Sequence, residues 1–261
     1  MCTMPPSGGG ERRGAHSVLA QLWDLFRMEL TNWRWSWRSM VHSGTITPLC
    51  SLLALGVFAR DAGPETLVYV MTGNVVVGLL FGTMHSIQSR VLWLRFQGGL
   101  DYVATLPVQR YAFVLAMVLS FLLISLPSVV ITMALGPRLL GVPVTLHPLI
   151  LLVVLACTLP LAGVGAILGL VGRTQRESGD LTFLLSFLLM GLGPVIVPPD
   201  RLPEIFTTLG RLSPATYAAS ALRQTMVGPV TGQISIDLVV LAAMTVVFMW
   251  LVGLKMNWRQ E

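Results

Sequence analysis

The sequence predicts an all-α integral membrane protein with six transmembrane helices, an N-terminal amphipathic interfacial helix and a short outer helical pair before the last span. Two observations support this fold class. Of the 261 residues, 54% are hydrophobic and only 11% are charged, whereas a soluble domain carries about 25% charged residues. The chain also contains six apolar stretches that approach the roughly 20 residues needed to cross a bilayer.

The apolar stretches divide the chain into three regions. Residues 1–16 form a polar, Gly/Pro-rich tail that we expect to be disordered and cytoplasmic, residues 17–40 form the interfacial helix, and residues 41–261 form the six-span domain. The tail lacks an apolar run before a small-residue cleavage site, so we expect no cleaved signal peptide. The predicted spans are Val41–Ala59, Thr66–Ile87, Tyr111–Leu135, Pro148–Val171, Leu181–Val197 and Ile234–Leu254.

The interfacial helix is predicted from apolar residues that recur every three or four positions before the first span. Its polar stripe includes Arg27, Arg34 and Arg38, which can contact anionic lipid headgroups. Such a helix serves as a simple membrane anchor or as a mechanical element, and the two roles are compatible. The apolar face comprises Leu19, Leu22, Phe26, Leu30, Trp33 and Trp37.

The basic residues predict that both termini are cytoplasmic. With the N-terminus inside, twelve Lys and Arg residues fall in cytoplasmic segments and five in outer segments, and positive charge is enriched on the cytoplasmic side. The net charge of +5 therefore reflects membrane topology, and we expect no nucleic-acid partner. Sixteen of the seventeen basic residues are arginine, a bias typical of a G+C-rich genome, so we expect a bacterial cytoplasmic membrane.

The sequence excludes several kinds of chemistry. The only lysine, Lys255, is followed by Met256, so a standard Walker A motif cannot form and the chain should not hydrolyse ATP alone. No HExxH or GxSxG motif is present. The cysteines Cys2, Cys50 and Cys157 have no metal-binding spacing. We therefore expect no catalytic residue, metal or bound cofactor in this chain.

Few polar groups lie within the predicted spans. Asp237 lies about one turn from the outer end of the last span, where its carboxylate can reach the interface. Asn74 is interpreted as an interhelical hydrogen-bonding residue, with substrate contact as the alternative. Two glycine pairs are interpreted as sites of close helix packing, with a dimer interface that lines a pathway as the alternative. These pairs are Gly78/Gly82 and Gly165/Gly169.

The outer helical pair is predicted from the segment Leu202–Met226, which is too amphipathic for a loop and too short for a span. In its second half, Ser213 is the predicted N-cap and Pro214 the first helical residue. We expect the pair to pack at the outer membrane face. In the first half, one helical face comprises Ile205, Phe206, Leu209 and Leu212.

The inner loop after the second span reads QSRVLWLRFQGGLDYVATLPVQR, from Gln88 to Arg110. Gly98 and Gly99 break the preceding helix, and Leu100–Leu106 is predicted to form a short helix that Pro107 ends. This loop is either a solvated connector or a rigid lever. As a lever, it would insert into a groove on a soluble partner and transmit motion to the membrane domain.

Taken together, these features resemble the ABC-2-type permeases, the membrane subunits of ABC exporters for drugs, lipids and polysaccharides. The segment GGLDYVATLPVQRYAFVLAMVL is similar to the family's coupling region. The segment LPEIFTTLGRLSPATYAASALRQTM is similar to the family's segment before the last span, and the amphipathic helix is similar to its connecting helix. The chain departs from the family at Ser220, where many relatives carry an acidic residue. It also departs at residues 98–101, which lack the family's usual Thr-Leu-Glu sequence.

The resemblance implies that two permease copies, identical or related, pair with two separate ABC ATPase subunits that use ATP and Mg²⁺. It also implies two sites on this chain. The ATPase-coupling residues would be Leu100, Asp101, Tyr102, Thr105, Leu106 and Pro107. The outer gate or cap would comprise Leu202, Pro203, Leu212, Pro214, Tyr217 and Arg223. Arg223 would be a plain interfacial anchor or would pair with an acidic group or a lipid headgroup.

The sequence therefore favours the permease subunit of an ATP-driven exporter that moves an amphiphilic substrate out of the cytoplasm or the inner leaflet. Apolar spans suit a drug or antibiotic, and next a lipid, better than a long hydrophilic glycan. Two alternatives are an ion-gradient-driven secondary transporter, which needs a titratable mid-membrane group, and a non-transporting scaffold or immunity-type protein.

Overall fold

The computed structural model describes Trp23, Arg27 and residues 46–59, 63–98, 110–145 and 147–255. Every regular element within these residues is helical, which agrees with the predicted all-α class. The α-helices are α1 (Thr47–Ala59), α2 (Pro64–Leu79), α3 (His85–Phe96), α4 (Arg110–Leu140), α5 (Ile150–Val171), α6 (Gln175–Gly191), α7 (Glu204–Gly210), α8 (Pro214–Met226) and α9 (Gln233–Lys255). A π-helical turn, Leu80–Met84, joins α2 to α3, and a 3-10 turn, Pro199–Arg201, precedes α7.

Several predicted segments lie outside the described residues. These are the tail at 1–16, most of the interfacial helix including Trp33, Arg34, Trp37 and Arg38, and the whole predicted coupling segment Leu100–Pro107. Trp23 and Arg27 are both helical and exposed. The roles predicted for these segments therefore stay predictions.

Each predicted span overlaps a helix, but the ends differ, since the fifth span was predicted to end at Val197 and α6 ends at Gly191. Within the described part of the chain, three continuous helices are long and apolar enough to cross a membrane: Pro64–Phe96, Ile150–Val171 and Gln233–Lys255. Shorter apolar helices cover Leu49–Phe58 and Val129–Leu140. The six-span count and the orientation stay predictions. We use the predicted orientation to name the inner end of the bundle, near Phe96, and the outer end, near Pro64.

Helix α5 lies at the centre of the bundle and contacts α3, α8 and α9. Two glycines permit its close approach to the Pro64–Phe96 helix. A Cβ atom on Gly165 would lie 2.4 Å from the carbonyl oxygen of Met84, and one on Gly169 would lie 2.7 Å from that of Gln88. This pair therefore packs two helices of one chain together, which confirms the packing interpretation for Gly165 and Gly169.

Helix α8 begins as predicted, with Ser213 at the N-cap and Pro214 as the first helical residue. It is enclosed by α2, α5 and α9 at the outer end. Backbone amides of Thr145 and His147 donate to the carbonyl oxygens of Met226 and Thr225, at 2.9 and 3.0 Å. Its buried face comprises Pro214, Ala215, Ala218, Ala219, Ala221, Leu222, Thr225 and Met226.

Helix α7 differs from α8 because its apolar face is exposed. Ile205 is 70% exposed and Leu212, just beyond the helix, is 77% exposed, while Phe206 and Leu209 are also exposed. The outer pair predicted from the sequence therefore divides into two kinds of helix: α8 is part of the protein core, and α7 lies on the outer surface.

Candidate functional site

Arg223, a predicted cap residue, connects α8 to two other parts of the outer end. Its guanidinium carbon lies 3.5 Å from the centroid of the Tyr69 ring in α2, which is a cation–π geometry. Its Nη2 donates to the carbonyl oxygen of Pro194 at 3.1 Å, in the segment that follows α6. These contacts join α8 to α2 and to the end of α6.

Arg223 is half-buried at the outer end of the bundle. Its Nε is buried and has no hydrogen-bond partner among the described residues. Burial lowers the pKa of Arg223, while Tyr69 and Asp237 oppose that shift, and an arginine stays protonated in such surroundings. The contacts of the guanidinium are an aromatic ring and a backbone carbonyl, so Arg223 joins parts of the protein to one another, and its role in a gate or cap stays a prediction.

Asp237 also belongs to the outer end, at the start of α9. It is 1% exposed, so the prediction that its carboxylate reaches the interface is wrong. Gln224 and Gln233 each donate a side-chain amide hydrogen to this carboxylate, both at 3.2 Å. The Gln224 amide oxygen in turn accepts from the Thr231 hydroxyl at 2.8 Å. Protein donors thus satisfy the carboxylate and join α8 to α9.

The other predicted cap residues do not converge on one pocket in the part of the chain that the structure describes. Pro214 is buried at the start of α8, and Leu212 is exposed. Tyr217 donates its hydroxyl to the carbonyl oxygen of Arg211 at 2.9 Å. Leu202 is half-buried, and Pro203 is exposed. These positions lie at the outer end of the bundle, and their role as a gate or cap stays a prediction.

Gly193 holds the segment after α6 against the two outer helices. Its backbone φ is +115°, a conformation that favours glycine. A Cβ atom on Gly193 would lie 2.4 Å from Oγ1 of Thr216 in α8, and one on Gly210 would lie 2.6 Å from the Cα of Gly193. The backbone contact between the two glycines explains how a seven-residue helix, α7, keeps its place at the outer end.

An aromatic cluster that the sequence analysis missed lies where the π-helical turn and α3 meet α6. We call it the aromatic patch, and its members are Phe81, His85, Phe183 and Phe187. The Phe81 and His85 rings stack with centroids 5.3 Å apart, and the Phe183 and Phe187 centroids are 4.8 Å apart. Phe81 contacts both α6 rings, at 5.9 and 6.0 Å.

The aromatic patch is accessible from outside the helix bundle. Phe183 and Phe187 are 52% and 45% exposed. Gly82, beside Phe81, has no atom within 4 Å of an added Cβ, so no described residue covers this position. The patch therefore presents aromatic faces beside the exposed apolar residues Leu184 and Leu188 of α6.

One polar group lies within the aromatic patch. Nε2 of His85 lies 3.3 Å from Oγ of Ser186. The Ser186 hydroxyl also donates to the carbonyl oxygen of Thr182 at 2.8 Å. Since a hydroxyl has a single hydrogen, this arrangement assigns the donor role in the other contact to His85. The patch combines three phenyl rings with one imidazole.

Asn74 is buried in α2, and Ser51 of α1 donates a hydroxyl hydrogen to its Oδ1. This contact confirms the prediction of an interhelical hydrogen bond. It places Asn74 among the groups that hold the helices together rather than on an open surface.

A comparison of the chain with known protein families identifies the family to which it belongs. A family model described as ABC-2 type transporter matches residues 20–227, well over half of the chain, from the predicted interfacial helix to the end of α8. A search of curated proteins finds no match. The chain therefore belongs to the ABC-2 type transporter family, and it is a multi-pass membrane permease subunit of an ABC transporter.

Proposed function

We propose that this permease subunit exports an amphiphilic small molecule, with drugs or antibiotics ahead of lipids, from the cytoplasm or the inner leaflet. The aromatic patch is the observation that carries this proposal. Two of its rings, Phe183 and Phe187, are exposed on the outside of the chain, and its one imidazole provides a hydrogen-bonding group. A substrate with an aromatic or cationic part and a polar edge matches this combination.

The position of the aromatic patch fits uptake from the inner leaflet. Helix α6 begins at Gln175, so Phe183 and Phe187 lie about 12 and 18 Å along the helix from its inner end. A second permease copy that faces the patch would enclose it and turn an open surface into a pathway. Long hydrophilic glycans would find few polar partners there, which is why the proposal favours amphiphiles.

Two separate ATPase subunits supply the energy in this proposal, and they bind the ATP and Mg²⁺. They dock on the inner face, at the coupling residues Leu100, Asp101, Tyr102, Thr105, Leu106 and Pro107. The single lysine of the chain has no Walker A context, which supports a motor on another chain. The termini are cytoplasmic, and the membrane is the bacterial cytoplasmic membrane.

The outer helices close the outer end of the pathway in the same proposal. The exposed apolar face of α7 lies in the outer leaflet, while α8 stays fixed to α2 and the end of α6 through Arg223. Because α8 is packed in protein and the only buried residue of α7 is Gly210, α7 is the part of the pair that can shift with fewer buried contacts to break.

The test is transport by the permease reconstituted with its ATPase subunits in lipid vesicles. The probe is a fluorescent cationic amphiphile, and the variants are Phe183→Ala and Phe187→Ala. Each removes an aromatic contact of about 1 kcal/mol, so the KM for the probe should rise about fivefold. Phe58→Ala is the matched control, because Phe58 is an 84% exposed phenylalanine in α1, away from the patch residues, and it should leave KM unchanged.

Other outcomes would contradict the proposal. Transport that survives ATP depletion but stops with an uncoupler would identify a secondary transporter. Vesicles that move no amphiphile in the presence of ATP would favour a scaffold. Transport of the probe with unchanged KM in both patch variants would remove the aromatic patch from the pathway.

A further inference from the structure

Hydrogen bonds join the inner end of α3 to the junction between α5 and α6. Nη1 of Arg95, in the last turn of α3, donates to the carbonyl oxygens of Leu170 at 2.7 Å and Gly172 at 2.9 Å. Nε2 of Gln88 donates to Oγ of Ser178 at 2.7 Å. The Ser178 hydroxyl donates to the carbonyl oxygen of Leu168 at 3.0 Å. We call Arg95, Gln88 and Ser178 the inner clasp.

The inner clasp is well suited to resist sliding between these helices. The last carbonyl groups of a helix lack intrahelical partners and attract positive charge, so Arg95 satisfies acceptors at the end of α5 through charge-assisted bonds. Gln88 is 3% exposed and Ser178 is fully buried. Breaking either contact would leave buried polar atoms unpaired, which is costly.

Backbone packing reinforces the inner clasp. A Cβ atom on Gly169 would lie 2.7 Å from the carbonyl oxygen of Gln88, and one on Gly172 would lie 2.4 Å from the Cβ of Ser178. Helices α3, α5 and α6 therefore meet with backbone atoms close together. The start of α6 has its own cap, since the Thr174 hydroxyl oxygen accepts from the Glu177 amide at 3.1 Å. The contacts of Arg95 are thus additional to those that form α6.

The inner clasp lies close in sequence to the predicted coupling segment. Arg95 lies five residues before Leu100, the first predicted coupling residue, so a force on the coupling segment reaches α3 through the chain itself. Helices α5 and α6 follow only after the whole of α4. Direct contacts such as the inner clasp provide a much shorter route from the coupling segment to these helices.

We propose that the inner clasp makes α3, the inner half of α5 and α6 move as one body when the ATPases act, with Arg95 as its positioning residue. This inference rests on the proposed function, since it takes the ATPase contact at the coupling segment as its source of force. The aromatic patch has two members on each side of the α3–α6 contact. The inner clasp therefore keeps both sides of the patch in register while α3 is displaced.

The test uses the complete complex of permease and ATPase subunits in lipid vesicles. The variant Arg95→Met keeps the length of the side chain and removes its donors, while Arg95→Lys keeps a charge and a single ammonium donor. The measured quantities are substrate transported per ATP hydrolysed, affinity for the ATPase subunits and thermal stability. Arg176→Met is the matched control, because Arg176 lies at the same inner end but is 94% exposed.

We expect Arg95→Met to lower the substrate moved per ATP about tenfold, since two charge-assisted hydrogen bonds are lost. Affinity for the ATPase subunits should stay within about twofold of wild type because the coupling segment is intact. Arg95→Lys should recover part of the transport ratio, and Arg176→Met should match wild type. Ser178→Ala, which breaks the second contact without changing charge, should lower the same ratio and serves as the second variant if Arg95→Met does not fold.

The possible failures are distinguishable. A wild-type complex without ATP-dependent transport overturns the proposed function, and the role of the inner clasp with it. A transporting wild type together with Arg95→Met and Ser178→Ala complexes of normal transport ratio overturns the inner clasp alone. A loss of thermal stability with an unchanged ratio would show a merely structural role and also overturn the inference.

Discussion

Replacement of Arg223 by methionine should loosen α8 from the bundle, because Arg223 joins α8 to Tyr69 of α2 and to Pro194 after α6. The variant loses a charge-assisted hydrogen bond to Pro194, worth about 1.5–3 kcal/mol, and the stacking on Tyr69, worth about 0.5–2 kcal/mol. It also removes a buried Nε without a partner in the described structure, which recovers about 1–3 kcal/mol. At the middle of each range the balance is a loss of about 1.5 kcal/mol, and each 1.4 kcal/mol changes an equilibrium about tenfold.

Cys157 provides the assay for this loss. It is fully buried in α5, and its Sγ lies 3.9 Å from the carbonyl oxygen of Ala218 in α8, so an alkylating reagent reaches it only after α8 separates. In a Cys2→Ser/Cys50→Ser background it is the single thiol of the chain. When closing is faster than alkylation, the alkylation rate follows the open population. The rate should therefore rise about tenfold in Arg223→Met.

Substitutions of Tyr69 measure the contribution of the stacking separately from that of the hydrogen bond to Pro194. Tyr69→Phe keeps the ring face and should leave the alkylation rate near wild type, whereas Tyr69→Leu should raise it about fivefold. The double variant Arg223→Met/Tyr69→Leu should be less than additive because both changes remove the same contact. Equal rates in wild type and Arg223→Met, or equal rates in Tyr69→Phe and Tyr69→Leu, would refute the reasoning.

The remaining predictions concern local packing and capping. Gly165→Ala should destabilise the protein by about 1–3 kcal/mol, because the new Cβ would lie 2.4 Å from a backbone carbonyl oxygen. Alkylation of Cys157 should therefore be faster in this variant. Gly82→Ala, at an open position, is the control and should leave the alkylation rate unchanged. Gly193→Ala should lower the thermal midpoint in nanodiscs, because its φ is +115 and the Cβ would lie 2.4 Å from Thr216; an unchanged midpoint would contradict this. Thr174→Ala should cost about 1 kcal/mol and speed amide exchange in the first turn of α6, whereas Thr174→Ser should preserve protection there.

Local sequence signals predicted the approximate positions of the helices and the start of α8. Apolar length located a helix at each of the six proposed spans, and the Ser213-Pro214 pair located the start of α8 because capping preferences act within one turn. Close packing of Gly165 and Gly169 was also predictable, since small residues at this spacing permit helices to approach. These signals depend on residues that are near one another along the chain.

The contacts of Arg223 could not be predicted in the same way. Its partner Tyr69 lies 154 positions earlier in the sequence, and nothing in the local pattern indicates which ring lies beneath the guanidinium. The burial of α8 was equally hidden, because alanines such as Ala215 and Ala218 fit a protein surface as well as a lipid interface. Whether this face of α8 contacts protein or lipid depends on where α5 lies, and the sequence of α8 does not specify that position.

The aromatic patch is an intermediate case. Phe81 and His85, and likewise Phe183 and Phe187, are four positions apart, which places each pair on one helical face. The sequence therefore contained both halves of the patch. Their meeting depends on the contact between α3 and α6, which the inner clasp forms through Gln88 and Ser178.

One continuous helix makes contacts at both ends of the bundle. Tyr69 and Arg95 both belong to the helix Pro64–Phe96, about 39 Å apart along its axis. The outer contact with Arg223 and the inner contact with the end of α5 are thus made by the same element. Between them lies the π-helical turn Leu80–Met84, which includes Phe81, and such turns are frequent at functional sites. In the proposed transport cycle, displacement of this helix by the ATPases moves the inner clasp, the aromatic patch and the Arg223 contact as one unit, so substrate binding and outer closure need no separate signal.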